Sequence, residues 1–357
     1  MPMKSSDLTD ARKEYLRLLR AGLWDEDCDC EVSGAAREIA IQQATTGLVL
    51  RSDGRSVAEL AVLLVTNGEL DSAVAEISGM LSSAGIPSVL LKGQGLARNY
   101  PQPELRCCGD IDLYVGRDNY GRACGIMKKA GGKCEESIKH LNIEYKGVPV
   151  ELHRVSAVMH SSKLDRIYQE YADEGLTENL VPVEIGGRMI DTPSDDFNVL
   201  FVFYHFFYHF MHDGVGFRQI CDWTVLLHRR GANVDREKLR SRLDALGLMD
   251  AWQTFGNLAV RHLGLPQEEM PFYDAASSGR ADRLLTAVFE YGNFGRTRHG
   301  HRKVSRHYLI RKAGSLRLHT RNFFEVLRMF PDMAPGFYWG TVKTGIRQVF
   351  IDLCGKF

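Results

Sequence analysis

The sequence has no excess of charge of either sign, because its 45 Lys and Arg residues balance its 45 Asp and Glu residues. Net charge therefore gives no general argument for a nucleic-acid or membrane partner, and any such argument has to be local. Long hydrophobic runs are missing as well. The most apolar run, residues 199–211, is too short for a membrane span, and residues 1–10 lack the apolar centre of a signal peptide. We therefore expect a cytoplasmic protein.

The eight cysteines form no CxxC pair and no zinc-ribbon spacing, so we expect reduced thiols. The chain also lacks internal repeats and low-complexity tracts. Its 357 residues exceed the size of roughly 250–300 residues at which a single hydrophobic core stops growing. We expect three parts: an N-terminal helical segment over residues 1–69, an α/β core over residues 70–192 and a C-terminal helical domain over residues 193–357.

Hydrophobic periodicity predicts helices through residues 1–70, with a break at Asn67-Gly68, and we expect this segment to pack on the domain that follows it. A helix over residues 69–84 and a strand that ends at Lys92 come next. The patterns after it predict a strand over residues 106–115, a helix over 118–130 and three strands over 133–137, 140–145 and 148–153. This order indicates a mixed sheet covered by helices, an α+β fold.

Two carboxylates, Asp110 and Asp112, lie two residues apart on the predicted strand over residues 106–115. Side chains alternate along a strand, so both carboxylates are expected on one face. Such a pair repels itself unless a proton or a cation neutralises it, and oxygen ligands of this kind suit Mg²⁺ together with the phosphates of a substrate. Because repulsion is relieved when either carboxylate is removed, we expect no loss of stability from Asp110→Ala or Asp112→Ala.

A loop before this strand offers a matching site for phosphate. The β-type run of residues 88–91 leads into Lys92-Gly93-Gln94-Gly95, and a helical pattern follows. A strand, a glycine turn and a helix start expose backbone N–H groups that favour an anion.

These motifs, with the later Val150-Glu151-Leu152-His153, resemble the uncharacterised nucleotidyltransferase family of the DNA polymerase β nucleotidyltransferase superfamily. The resemblance is specific over residues 70–155 and looser to about residue 230. It implies a polymerase β-like mixed-sheet core, with N-terminal helices and a C-terminal helical domain around it. One departure concerns the loop, which is usually Gly-Ser or Gly-Gly in the superfamily.

The resemblance also implies roles for individual residues. Asp110, Asp112 and Glu151 would be catalytic and would bind the metal, which is Mg²⁺ with Mn²⁺ as the alternative. The nucleotide would be bound by residues of the loop and by two arginines that follow it: Lys92, Gly93, Gln94, Arg98 and Arg106. For Glu151, Lys92 and the arginines, an ordinary surface role is the competing interpretation.

A stripe of histidines, His205, His209 and His212, follows helical spacing within an aromatic-rich segment. Three imidazoles could bind zinc, but no carboxylate or cysteine lies in phase with them, so a structural role is favoured. Arg218 and Asp222, which are also four residues apart, are interpreted as an intrahelical pair near the rim of the site.

The stretch over residues 296–321 contains nine Lys or Arg residues and no acidic residue. It is interpreted either as a solvated helix face or as a binding site for a polyanion such as RNA or an anionic lipid surface.

These observations predict an enzyme that transfers a nucleoside monophosphate from an NTP, such as ATP, to an acceptor hydroxyl on a small molecule, a protein or RNA. The alternative is a non-catalytic nucleotide-binding or nucleic-acid-binding protein that retains the fold.

Overall fold

The computed structural model of the protein describes residues 5–28, 31–136, 140–295, 320, 322–340 and 342–343. Most of these residues are helical, and a small mixed sheet is inserted among the helices. The predicted α+β class with a mixed sheet is therefore confirmed.

The α-helices are α1 (Ser5–Trp24), α2 (Gly34–Gln42), α3 (Thr46–Leu50), α4 (Val57–Ser83), α5 (Gln94–Ala97), α6 (Gly116–Lys129), α7 (Ser162–Gly175), α8 (Asp195–His212), α9 (Phe217–Arg230), α10 (Arg236–Leu246), α11 (Met249–Leu258) and α12 (Ser278–Tyr291). A π-helical turn over Ala259–Leu263 extends α11. Residues 322–329 and 334–340 are also helical. The strands are β1 (Val89–Leu90), β2 (Ile111–Tyr114), β3 (Lys133–Glu136), β4 (His140–Tyr145), β5 (Val148–His153), β6 (Val181–Ile185) and β7 (Arg188–Thr192).

The five-stranded sheet has the order β1-β2-β5-β4-β3, and β6 and β7 form a separate hairpin. Only β2 and β5 run parallel, while the other neighbours in the sheet are antiparallel. The β4–β5 hairpin turns at Lys146-Gly147, where both residues have positive φ. This hairpin returns the chain to β2, so that β5 lies beside the strand that carries Asp112.

The sheet packs through a hydrophobic core of its own. Buried residues of α4, α6 and the strands β1, β2, β4 and β5 form it, including Ile77, Met127, Leu113, Ile143 and Leu152. A larger core joins α1, α7–α12 and the helices near residues 322–340. Strand β1 lies between the two cores, because Leu90 packs in the sheet core while Val89 and Leu91 pack in the helical one.

One expectation about the N-terminal part is wrong. Residues Asn67 and Gly68 do not break a helix, since α4 is continuous from Val57 to Ser83, and the proposed boundary after residue 69 falls inside it. The N-terminal part contacts the segment that follows it, since Gln102 donates to Asp25 and Thr46 hydrogen-bonds with Cys107, and it packs with the C-terminal helices as well. Residues of α1 such as Tyr15 and Leu19 are buried in the helical core with the C-terminal helices. None of the described helices is long and apolar enough to cross a membrane.

Candidate active site

Strands β2 and β5 bring acidic side chains from two parts of the chain together. Their parallel pairing sets Asp112 opposite Glu151 and Tyr114 opposite His153. Because side chains alternate along a strand, His153 lies on the same face as Glu151. Ligand atoms of Asp112, Glu151 and His153 all lie within 4.8 Å of one another. The expected proximity of the Glu151 and Asp112 carboxylates is thus confirmed, although their catalytic roles remain predictions.

Both oxygens of the Asp112 carboxylate, which is 1% exposed, have a cationic or hydrogen-bonding partner. Lys92 Nζ lies 3.1 Å from Oδ2, and His153 Nε2 lies 2.8 Å from Oδ1. The same His153 nitrogen is 3.3 Å from Glu151 Oε2. His153 therefore bridges the two carboxylates and holds them side by side.

Charges around Asp112 keep this carboxylate ionised. Burial alone would raise its pKa, but Lys92 and the hydrogen bond from His153 outweigh that effect and hold the pKa well below its usual range. Burial opposes the charged form of His153 too, yet the hydrogen bonds to Asp112 and Glu151 raise its pKa. The buried cluster is therefore a network of opposite charges.

Asp110 lies outside β2, which begins at Ile111, so the expectation that both aspartates belong to one strand is wrong. The residue is half-buried and lines the same cavity as Asp112. Burial and the neighbouring charge of Asp112 raise the pKa of its carboxyl group. Asp110 thus faces the cluster from the segment that enters the strand, and a bound cation would relieve its repulsion with Asp112.

Gly93 shapes the loop that faces Asp110. Its backbone has φ of 56° and ψ of −120°, a conformation that is open to glycine and strained for other residues. A Cβ atom here would lie 3.1 Å from the carbonyl oxygen of Asp110. The predicted helix after the loop is a single turn, α5, so a helix dipole adds little to anion binding.

His205 of α8 completes the surroundings of Lys92. Its Nε2 lies 3.3 Å from Lys92 Nζ. Burial and the charge of Lys92 hold the pKa of His205 well below its usual range, so the imidazole is neutral and can accept a hydrogen bond from the ammonium group. Lys92 is therefore held between a carboxylate and an imidazole.

A cavity of about 70 Å³ opens between the sheet and the helical core at this cluster. It has room for a phosphate or a few waters rather than for a whole nucleotide. Residues of the strand β2, of the loops around it and of the helices α5, α8 and α9 line it, together with Phe294: Lys92, Gly93, Leu96, Arg106, Asp110, Asp112, Val202, His205, Phe206, Arg218, Gln219, Asp222 and Phe294.

Residues 58–264, more than half of the chain, match the family described as uncharacterised nucleotidyltransferase. The chain belongs to this family. The matched range contains the whole cluster from Lys92 to His205, and it confirms the resemblance found in the sequence. Comparison with curated proteins and with solved structures gave no match.

Three of the five residues expected to bind the nucleotide are paired with a carboxylate that lies outside the Asp110, Asp112 and Glu151 set. Gln94 Nε2 donates to Asp71 Oδ1 at 2.5 Å, and Arg98 Nη2 donates to Asp71 Oδ2 at 2.6 Å. Arg106 makes a bidentate pair with Asp222, with distances of 2.6 and 2.7 Å. Only Lys92, Gly93 and Arg106 of the five line the cavity beside Asp112, and a role of Gln94 or Arg98 in nucleotide binding stays a prediction.

The Arg106–Asp222 pair corrects the expected pairing within α9. Tyr100 Oη also donates to Asp222, at 2.7 Å. Arg218 instead donates to the carbonyl oxygen of Cys107, at 3.0 Å. Sequence spacing favoured the Arg218–Asp222 pair because it is local, whereas tertiary packing brings Arg106 from another segment.

Two of the three histidines of α8, His205 and His209, contact each other edge to face with ring centroids 4.7 Å apart, while each of the three also has a partner of its own. His205 contacts Lys92, the ring of His209 lies 4.8 Å from that of Phe294, and His212 Nδ1 donates to the carbonyl oxygen of Tyr208 at 2.7 Å. In the part of the chain that the structure describes, they form no cluster that could hold a metal ion. The role of His205 beside Lys92 was missed because spacing along one helix does not show what packs against it.

The basic stretch over residues 296–321 lies outside the described residues except for Thr320. Its proposed contact with a polyanion therefore stays a prediction.

Proposed function

We propose that the protein is a metal-dependent nucleotidyltransferase that moves a nucleoside monophosphate from an NTP to an acceptor hydroxyl, with a polymerase β-like core over residues 70–192. The hydroxyl oxygen bonds to the α-phosphorus as the bond to pyrophosphate breaks, and the hydroxyl proton is lost. A helical segment over residues 1–69 and a helical domain over residues 193–357 flank this core in the proposal.

The donor set fits a hard divalent cation. Carboxylate oxygens suit Mg²⁺ or Mn²⁺, and Asp110, Asp112 and Glu151 would hold it. Bound there, the cation would stabilise charge on the attacking and leaving oxygens. An imidazole is less suited to such ions, so His153 is assigned to orienting Asp112 and Glu151 through its hydrogen bonds.

Other residues of the chain would handle the phosphates. Lys92 is 18% exposed at the cavity and can turn from Asp112 to a phosphate oxygen once a cation neutralises that carboxylate. Before that, the hydrogen bond with His205 holds the Lys92 ammonium group at the cavity wall. The positive φ of Gly93 opens the loop backbone next to the same space.

The observation that carries the proposal is the convergence of Asp112 and Glu151 from two neighbouring strands in a chain of this family. Glu151 is the third carboxylate beside the two aspartates, and we expect catalysis of the transfer to require it while nucleotide binding does not. Nucleotide could be held by Lys92, the loop and the aspartates alone.

We expect Glu151→Gln to bind an NTP within a few-fold of wild type but to lose transfer by about 100-fold or more, because the lost charge acts on the transition state. Calorimetry with a non-hydrolysable NTP and Mg²⁺ measures binding. Pyrophosphate release, with fractionated small molecules, proteins or RNA as acceptors, measures transfer.

Glu178→Gln is the matched control, because Glu178 is exposed and lies outside the site. If Glu151→Gln keeps the wild-type transfer rate, the metal assignment is wrong. If the wild-type protein binds Mg·NTP but releases no pyrophosphate with any acceptor pool, the non-catalytic alternative replaces the proposal.

A further inference from the structure

A second cavity lies on the opposite face of α5 from the candidate active site. It has a volume of about 330 Å³ and is lined by residues of α5, the β6–β7 hairpin and the helices α8 and α9. Gly95 and Arg98 line this cavity, whereas Gly93 and Leu96 line the active-site cavity. The volume is within the range of sites for small molecules.

Two buried polar atoms at this cavity have no hydrogen-bond partner among the described residues. One is an acceptor, Oδ1 of Asn198, whose side chain belongs to a residue that is only 7% exposed. The other is a donor, Nε of Arg98. Both atoms are covered by neighbouring atoms in the structure. Buried polar groups are nearly always hydrogen-bonded, so a donor and an acceptor without partners beside one cavity favour a polar ligand that they meet after a change of side-chain rotamer.

The charges that line the cavity favour an anion. Arg98, Arg229 and Arg230 face it together with a single acid, Asp195. Asp195 pairs with Arg230 at 2.8 Å, and Asp71 pairs with Arg98. Arg229 has no ion pair within the described part of the chain, so one positive charge is left for a ligand.

We propose that this cavity binds a small phosphate monoester that carries a free hydroxyl group. Its phosphate would accept hydrogen bonds from Arg98 Nε and Arg229, since guanidinium groups bind phosphates strongly. Its hydroxyl would donate to Asn198 Oδ1. The apolar side chains of Val183 and Leu226 face the same cavity and suit a short carbon chain. This site goes beyond the proposed nucleotidyl transfer.

Calorimetry without metal or NTP tests the site, with glycerol 3-phosphate, inorganic phosphate and glycerol as separate probes. Glycerol 3-phosphate is expected to bind more tightly than either of the other two. Arg229→Gln should weaken both phosphate-bearing probes by about 10-fold, and Asn198→Ala should weaken glycerol 3-phosphate alone by a similar factor.

Arg283→Gln is the control, because it removes an exposed arginine of α12 that does not line the cavity. A thermal unfolding curve checks that each variant folds, and Arg229 is exposed, so its variant carries the test if Asn198→Ala fails to fold. The proposal is overturned if no probe binds below about 10 mM, if Arg229→Gln binds like wild type, or if inorganic phosphate binds as tightly as glycerol 3-phosphate. Because no nucleotide is present, these failures are distinct from a failure of the transferase assignment.

Discussion

Asp110 and Asp112 look equivalent in the sequence, but they differ in the folded protein. Asp112 is buried between Lys92 and His153, which neutralise it. Asp110 is half-buried, and its pKa is raised by burial and by Asp112. The first carboxylate is therefore part of a stabilising network, while the ionised form of the second is disfavoured. This changes the expectation that either could be removed without loss of stability.

We expect Asp112→Ala to lower the free energy of unfolding by about 3 kcal/mol, because it leaves Lys92 without its counter-charge and His153 with Glu151 as its remaining acidic partner. Asp110→Ala should leave stability unchanged or slightly higher. Both variants should lose metal-dependent NTP binding. Urea denaturation and calorimetry measure the two properties, and equal stability of the two variants would contradict the network.

The placement of Asp112 and Glu151 could be predicted because alternation along a strand fixes which side chains share a face. The pairing of β2 with β5 could not be predicted, since the order of strands in a sheet depends on tertiary structure. The partners of Arg106 and His205 were not predictable for the same reason. Each contacts a residue more than 100 positions away, and no local pattern records such a contact.

At the scale of elements, the β4–β5 hairpin was predicted accurately, whereas the strand expected over residues 106–115 is only Ile111–Tyr114. Strands β4 and β5 match the predicted ranges, because alternating residues and a Lys-Gly turn specify a hairpin locally. The break at Asn67-Gly68 was wrong because burial of α4 outweighs the helix propensity of one glycine. Leu70, Val74 and Ile77 continue the buried face of α4 after it.

Gly68→Ala tests this explanation. Gly68 is exposed inside α4, and a Cβ atom there would meet nothing within 4 Å. We expect the free energy of unfolding to rise by about 0.5–1 kcal/mol, since alanine loses less backbone entropy in a helix. Gly79→Ala is the contrasting variant and should gain less stability than Gly68→Ala. Its Cβ would lie 2.9 Å from the guanidinium of Arg188, which would have to move. A loss of stability in Gly68→Ala would mean that α4 bends at this residue in solution.

Asp53 links the start of α4 to α2 through charge. Its carboxylate accepts hydrogen bonds from Arg55, Arg37 and Ser56. The hydrogen bond from Arg55 is the main cause that lowers the pKa of Asp53, against the opposing effect of burial. A carboxyl group with a lowered pKa stabilises the fold above its unfolded pKa of about 3.9, and that stabilisation is lost as the pH falls through the folded value.

Asp53→Asn should therefore destabilise the protein at pH 7 and destabilise it less near pH 3, relative to wild type at the same pH. Urea denaturation at both pH values measures this difference. Asp244→Asn, which changes an exposed aspartate of α10, is the control and should show no such trend. An Asp53→Asn deficit that persists unchanged at pH 3 would show that the carboxylate charge is not its cause.

At the scale of the whole molecule, the candidate site lies where the sheet core meets the helical core. Lys92, Asp110 and Asp112 come from the sheet side, while His205 and Asp222 come from helices. The site therefore depends on how the two cores are held together. The N-terminal helices belong to the same arrangement, because α1 is buried with the C-terminal helices rather than leading into the sheet.

The Arg106–Asp222 pair is a buried polar connection across this boundary, since both side chains are 5% exposed and the pair is bidentate. We expect Asp222→Asn to lower the free energy of unfolding by about 3–5 kcal/mol, because it leaves the Arg106 guanidinium buried without a counter-charge. Burial of the pair itself is costly, so the double variant Arg106→Met, Asp222→Leu should recover most of that loss.

Urea denaturation followed by tryptophan fluorescence measures these changes, because Trp223 and Trp252 are buried in the helical core. Glu76→Gln, which breaks the exposed pair with Lys146, is the control and should have little effect. The double variant should also lose NTP binding despite its recovered stability, because Arg106 and Asp222 line the active-site cavity. If the double variant stays as unstable as Asp222→Asn, the packing around the pair, rather than an unpaired charge, holds the two cores together.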